Sequence, residues 1–180
     1  LNYQGERTQL IYKVPRKYTL PKLNHSDCIY LTAMGENHEI SYNDLLKHIV
    51  KHRIKLAYNP GKIQIECNYK QCIDLFSFTE ILFTNREEAQ LILKQKDANI
   101  RSLLKKLKAM GPKNVVITDG IKGSYVEDAQ GDKYYAPVAK GPLVERTGAG
   151  DSYATGYIAA IHYGKSTQEA MKWGTVNAMS

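Results

Sequence analysis

Four short apolar runs recur along the chain with helix-length segments between them: CIYLTA (residues 28–33), IKLAYN (54–59), EILFTN (80–85) and NVVITDG (114–120). Each is too short for a typical helix and rich in β-branched or large apolar side chains, the mark of a strand covered on both faces. The segments between them carry apolar residues at three- and four-residue spacing, as with Leu45, Leu46, Ile49 and Val50 in SYNDLLKHIVKH (41–52). REEAQLILKQ (86–95) and ANIRSLLKKLKAM (98–110) read the same way. Strands alternating with helices imply βαβ units and a parallel sheet covered by helices. The predicted fold class is therefore α/β, a three-layer, Rossmann-like, mostly parallel sheet flanked by helices.

Local signals place the remaining elements. Ser41, with Asp44 three residues on, reads as the cap of the first helix. Pro60 and Gly61 end the second run, a short helical stretch follows over residues 69–76, and Gly111 and Pro112 close the 98–110 helix. GSYVED (123–128) and KYYAPV (133–138) read as antiparallel strands around the turn AQGD. Helices are expected over residues 149–163 and 167–180, with Trp173 in the core. TQLIYKV (8–14) follows the turn-like QGE and reads as a strand, half of a hairpin whose partner precedes the chain.

The totals narrow the function classes. The chain has 180 residues, enough for one domain, and a net charge of +7. That balance suits anionic small substrates as well as nucleic acid. The lysines of LLKKLKAM sit among leucines as a solvated helix face, and no arginine-rich arm or RNP-like aromatic motif occurs. A basic nucleic-acid-binding domain is the minor alternative, and the expectation is no nucleic-acid partner. No apolar run reaches membrane-spanning length, and the first residues form no signal peptide. Three cysteines lack CxxC or Cys/His spacing, which supports neither a disulfide framework nor a zinc site and fits a reducing cytoplasm. The five histidines share no spacing and read as surface residues. The chain opens on Leu1 and stops at Ser180 inside a helical pattern, so it is expected to be a fragment of a longer protein.

The stretch RTGAGDSYATG (146–156) carries the chemistry. The first turn of a helix has N–H groups without internal partners and a partial positive charge. Gly148 and Gly150 remove side chains there, so an anion can approach the backbone of Gly148, Ala149 and Gly150. Asp151 then stands at the rim of an anion hole, where a carboxylate can take a proton from a hydroxyl while the amides hold charge on a transferring phosphoryl group. The plainer reading of a lone GxGD is an acidic residue in a first helical turn. Two rival phosphate motifs fail. A GxGxxG fingerprint would need glycine where Tyr153 stands, and the P-loop-like Gly164, Lys165, Ser166 would need its first glycine at Ala159, inside a helix.

RTGAGDSYATGYIAAI resembles the C-terminal signature of the ribokinase-like, or PfkB, family of carbohydrate and nucleoside kinases. Three further segments agree in order and spacing. TNREEA resembles the family's N-x-x-E motif at Asn85 and Glu88. ITDGIKGSYV resembles its T-x-G-x-x-G segment at Thr118, Gly120 and Gly123. TVNAMS resembles the helix beside the adenine pocket at Asn177. The family usually has Asp-Thr where this chain has Glu145 and Arg146, and a small residue at Thr155.

The resemblance implies that residues 1–180 are the C-terminal portion of a single ribokinase-like kinase domain, with residues 1–14 part of a small β lid. It implies an ATP-dependent phosphotransferase acting on a hydroxyl of a sugar, sugar phosphate or nucleoside. Asp151 would be the base and the amides of Gly148, Ala149 and Gly150 the anion hole. Asn85 and Glu88 would organise Mg²⁺ and the phosphates, Glu88 through water. Thr118, Gly120, Gly123 and Asn177 would line the nucleotide cleft, the glycines leaving room for a ligand. Taken alone, Asn85 and Glu88 also fit a capping box, the glycines ordinary turns, and Asn177 a structural role. A non-catalytic, nucleotide-binding regulatory homologue is the main alternative. The resemblance leaves room for a homodimer through the lid. Without the other half, a buried strand such as NVVIT would lose neighbours, which predicts poor stability for these residues alone.

Overall fold

The computed structural model describes residues 2–3, 6–7, 18–21, 23, 26–35, 39–96, 98–139 and 147–179. Six strands form one sheet in sequence order: β3 (Cys28–Leu31), β4 (Lys55–Tyr58), β5 (Thr79–Asn85), β6 (Asn114–Thr118), β7 (Ser124–Glu127) and β8 (Lys133–Ala136). The first four are parallel and the last two antiparallel. A separate two-stranded ladder pairs β1 (Asn2–Tyr3) with β2 (Glu6–Arg7).

The crossovers follow from connecting parallel neighbours. The sheet grows in one direction from β3 to β6, so connections of one hand place their helices on one face. Those helices are α1 (Glu39–His52), α2 (Lys62–Cys67), α3 (Tyr69–Asp74), α4 (Arg86–Leu93) and α5 (Ile100–Ala109). Leu45 and Ile49 of α1, Ile92 of α4 and Leu103 and Leu107 of α5 pack there against Leu56, Tyr58, Leu82, Val115 and Ile117. The alternate residues Ala57, Ile81, Phe83, Val116 and Val126 face the other way. They are covered by α6 (Ala149–His162) and α7 (Thr167–Asn177). Strand alternation thus divides one sheet between two cores, and the expected three layers form.

Helices α6 and α7 cross closely because glycines meet backbone. A Cβ on Gly156 would lie 2.9 Å from the Trp173 carbonyl, and one on Gly174 would lie 2.9 Å from that of Tyr153. This crossing holds the start of α6, where the TGAGD motif lies, against the end of α7.

Several expectations need correction. Helix α1 starts at Glu39, so Ser41 lies inside the helix and is not its cap; Glu39 and Ile40 extend the helix without a break. Helix α2 was not expected, and the expected 69–76 helix becomes α3 followed by a 3-10 turn, Phe76–Phe78. Trp173 is 42% exposed, because α7 buries the stripe Ala170, Met171 and Gly174; its ring lies 6.1 Å from that of Tyr163. His48 and His52 do share a spacing: one turn apart on α1, their ring centroids are 4.5 Å apart and His48 is half-buried. NVVIT does not lack neighbours, since β6 lies between β5 and β7; among the described residues the edge strands are β3 and β8. The expected strand at residues 8–14 lies outside the described residues, and the pairing seen is that of Asn2 with Arg7 and Tyr3 with Glu6.

Candidate active site

The carboxyl ends of β3 to β6 gather the polar groups, as parallel α/β sheets require of a ligand site. The N-terminus of α6 faces this edge. Gly148 is its cap residue at φ +81°, a left-handed conformation that favours glycine, and no side chain caps the helix. Among the described residues, a Cβ on Gly148 or on Gly150 would meet no atom within 4 Å. The first bond within the helix is Ser152 N–H to the Gly148 carbonyl at 2.8 Å. The N–H groups ahead of it in the first turn have no acceptor within the helix. The described residues thus leave this partly positive helix end open.

Asp151 is exposed in this first turn and tied to the sheet. Its Oδ1 accepts from the Tyr30 hydroxyl at 2.9 Å and the Thr32 hydroxyl at 2.8 Å. Residues 30 and 32 project from one face of β3 and its continuation. The Asn59 side-chain amide, just past β4, donates to the Tyr30 oxygen at 3.2 Å. Burial pushes the Tyr30 phenol up to about 12, so Tyr30 remains an O–H donor at neutral pH. Thr155 turns its hydroxyl back to the Asp151 carbonyl at 2.8 Å.

Asn85 and Glu88 form a complete capping box on α4. Asn85 Oδ1 accepts from the Glu88 N–H at 2.8 Å, and Glu88 Oε2 accepts from the Asn85 N–H at 3.0 Å. Thr84 also donates to Glu88 Oε2, at 3.3 Å. Burial raises the Glu88 carboxyl above its ordinary value, and these hydrogen bonds partly offset it. The plain structural role is therefore real, and it holds both residues at the strand-end edge.

Thr118 ends β6, in register with Asn85 on one side and Ser124 on the other. Beyond it the two glycines part company. Gly120, at φ +52°, has open space where a side chain would be. Gly123, at φ +88°, does not: a Cβ there would lie 2.2 Å from the Ala136 carbonyl oxygen. The room expected for a ligand at Gly123 is filled by β8. Asn177 is exposed at the end of α7 and donates to the Ser152 carbonyl at 2.7 Å, one residue from Asp151.

The sequence reading missed Tyr30, Thr32 and the Arg86–Asp119 ion pair. That pair, at 2.9 Å, ties the first turn of α4 to the loop after β6. Two hydroxyl-bearing residues with period-two spacing at the end of an apolar strand were the available signal for Tyr30 and Thr32. Asn59, just past β4 and before Pro60, orients Tyr30. Among the described residues no cluster of three or more His, Cys, Asp or Glu could hold a metal by itself, and no helix is long and apolar enough to cross a membrane.

Comparison with known proteins adds a second line of argument. The profile of the pfkB family carbohydrate kinases matches residues 3–179. A cytidine kinase of Thermococcus kodakarensis is 29% identical over 136 residues, 74% of this chain and 48% of the relative. A 5-dehydro-2-deoxygluconokinase of Bacillus subtilis is 28% identical over 133 residues, 73% of this chain and 41% of the relative. The chain thus spans about half, or somewhat less, of the curated relatives it matches. The solved structure of an adenosine kinase from Sinorhizobium meliloti superposes with a TM-score of 0.74 at 22% identity, covering 85% of this chain and 48% of that one. At that identity the likeness speaks for the fold, and the fold agrees.

Proposed function

The chain belongs to the pfkB family of carbohydrate kinases, and from that premise we propose that it supplies the phosphoryl-transfer half of an ATP-dependent small-molecule kinase. The acceptor is a hydroxyl compound of the sugar, sugar phosphate or nucleoside class. One observation carries the reading: a carboxylate, Asp151, held at the mouth of a helix end whose Gly148 and Gly150 leave the backbone open.

In this reading Asp151 takes the proton of the acceptor hydroxyl as its oxygen attacks the γ-phosphorus of ATP. The bond from that phosphorus to the bridging oxygen breaks, and ADP leaves. The amides of Gly148, Ala149 and Gly150 hold the charge on the transferring group, which is the main task of a protein in phosphoryl transfer. Gly120 offers an open backbone to the nucleotide, and Thr118, Asn85 and Asn177 stand along the same edge. The donor set around Glu88 fits Mg²⁺ only in part: Oε2 is engaged by Asn85 and Thr84, so Glu88 would act through water. Mg²⁺ usually keeps several waters and is held by one or two carboxylates plus the substrate phosphates, whose charge it would neutralise.

The relatives suggest the first acceptors to try. Full-length protein would be given Mg-ATP with cytidine, adenosine, ribose and 5-dehydro-2-deoxygluconate, and ADP release followed. Acceptor-dependent turnover is expected with at least one. ATP binding without turnover on any acceptor would favour a regulatory homologue, a reading open to any family member whose acceptor half has changed. Retention on DNA or RNA that weakens steeply with salt, without ATP binding, would favour the basic-domain reading.

A further inference from the structure

The two hydroxyls on Asp151 raise a question of lone pairs. A carboxylate offers about four lone-pair sites, two on each oxygen. Tyr30 and Thr32 both donate to Oδ1, at 2.9 and 2.8 Å, which fills its two. The donors stand 121 and 119 positions from Asp151 in sequence, so no local turn of α6 creates the arrangement. Tyr30 has a single proton to give. Because Asn59 donates to the phenol oxygen, that proton points to Asp151. The Tyr30 ring is fixed too, edge-on to Phe83 with centroids 6.3 Å apart. Phe83 meets Tyr157 in the same manner at 5.5 Å. Tyr157 belongs to α6, the helix that carries Asp151, so a chain of contacts runs from Tyr30 through the sheet core back to that helix.

We propose that Tyr30 and Thr32 are positioning residues that saturate Oδ1 of Asp151 and thereby assign Oδ2 as the oxygen that receives the acceptor's proton, with Asn59 setting the direction of the Tyr30 O–H. The assignment rests on the kinase reading above. A carboxylate held at one oxygen presents the other in a fixed direction. One free to rotate turns both oxygens away from the acceptor for part of the time. Misplacing a reacting group by about 1 Å can lower the rate by roughly 10²-fold. None of the three side chains needs to touch nucleotide, so their loss falls on kcat and leaves the KM for ATP in place.

The test uses full-length protein with Mg-ATP and cytidine, or the acceptor that the panel above singles out. Tyr30→Phe/Thr32→Val is made in the native and Asp151→Asn backgrounds, beside Thr32→Ser and the single variant Tyr30→Phe. The double variant is expected to lose about 10- to 100-fold in kcat, with the KM for ATP within about twofold of wild type. Thr32→Ser keeps the hydroxyl and is expected to retain most of kcat. In the Asp151→Asn background the double change should cost nothing further, since residues acting as a unit are non-additive. Tyr30→Phe keeps the ring packing and covers a double variant that fails to fold, with a several-fold loss expected. An active wild type whose Tyr30→Phe and double variants keep native kcat would overturn the assignment and spare the kinase reading. So would an equal loss in both backgrounds. A wild type that turns over no acceptor overturns both.

Discussion

Gly123 separates a packing role from a ligand role, and alanine there makes the difference measurable. At φ +88° and ψ −154° its backbone lies in a region almost confined to glycine, where another residue costs roughly 1–3 kcal/mol. An alanine Cβ would also stand 2.2 Å from the Ala136 carbonyl oxygen and 3.0 Å from Pro137 Cα. The strand β8 must then move, at an overpacking cost of roughly 1–3 kcal/mol. Together these give a loss of roughly 2–6 kcal/mol. Gly120 is the internal control: at φ +52° with open space around it, alanine costs only the left-handed penalty of about 1–2 kcal/mol. Equilibrium unfolding of the full-length variants in urea measures both. Gly123→Ala should be the more destabilising by a clear margin. Equal losses, or a larger loss at Gly120, would refute the packing argument. A raised KM for ATP at unchanged stability in Gly123→Ala would restore the ligand role that the sequence suggested.

Two further outcomes follow from the capping box on α4. Asn85→Ala removes its forward bond and should cost about 1 kcal/mol in urea unfolding; Asn85→Ser should recover most of that, and if Asn85 also meets the phosphates, the serine variant will still show a raised KM for ATP. Glu88 titrates above its ordinary value in the folded state because of burial, so its contribution to stability is fully present below the unfolded-state value and is lost as pH rises through the folded-state value. Stability curves at pH 4 and pH 7 should therefore show Glu88→Gln becoming more stable relative to wild type as pH rises, and a variant that instead loses ground to wild type over that range would contradict the burial argument.

Much of this architecture could be read from the sequence because its signals are local. NVVIT is buried on both faces and runs as β6, and the leucines of residues 98–110 repeat at helical spacing and face the core as predicted. The TGAGD glycines were legible for the same reason, since a helix start without side chains is written in consecutive residues. Other features depend on partners far along the chain. Trp173 looked like core because it is large and apolar, yet the crossing of α6 and α7 gives the buried side of α7 to Gly174 and its neighbours. Gly123 looked like an open glycine, and only the pairing of β7 with β8 shows what fills its space. Tyr30 and Thr32 reach Asp151 across most of the chain, and no spacing rule connects residues that a sheet brings together from such a distance.

The central claim is that Asp151 is the base of a phosphoryl transfer, and its most direct test is one ratio. With the acceptor that gives turnover, kcat of the full-length protein is compared with that of Asp151→Asn, and ATP affinity is measured for both by calorimetry. The account predicts a fall in kcat of roughly 10²- to 10⁴-fold with ATP affinity nearly unchanged. Turnover that survives the substitution would contradict it, and a protein that binds no ATP at all would reduce the TGAGD stretch to the start of a helix.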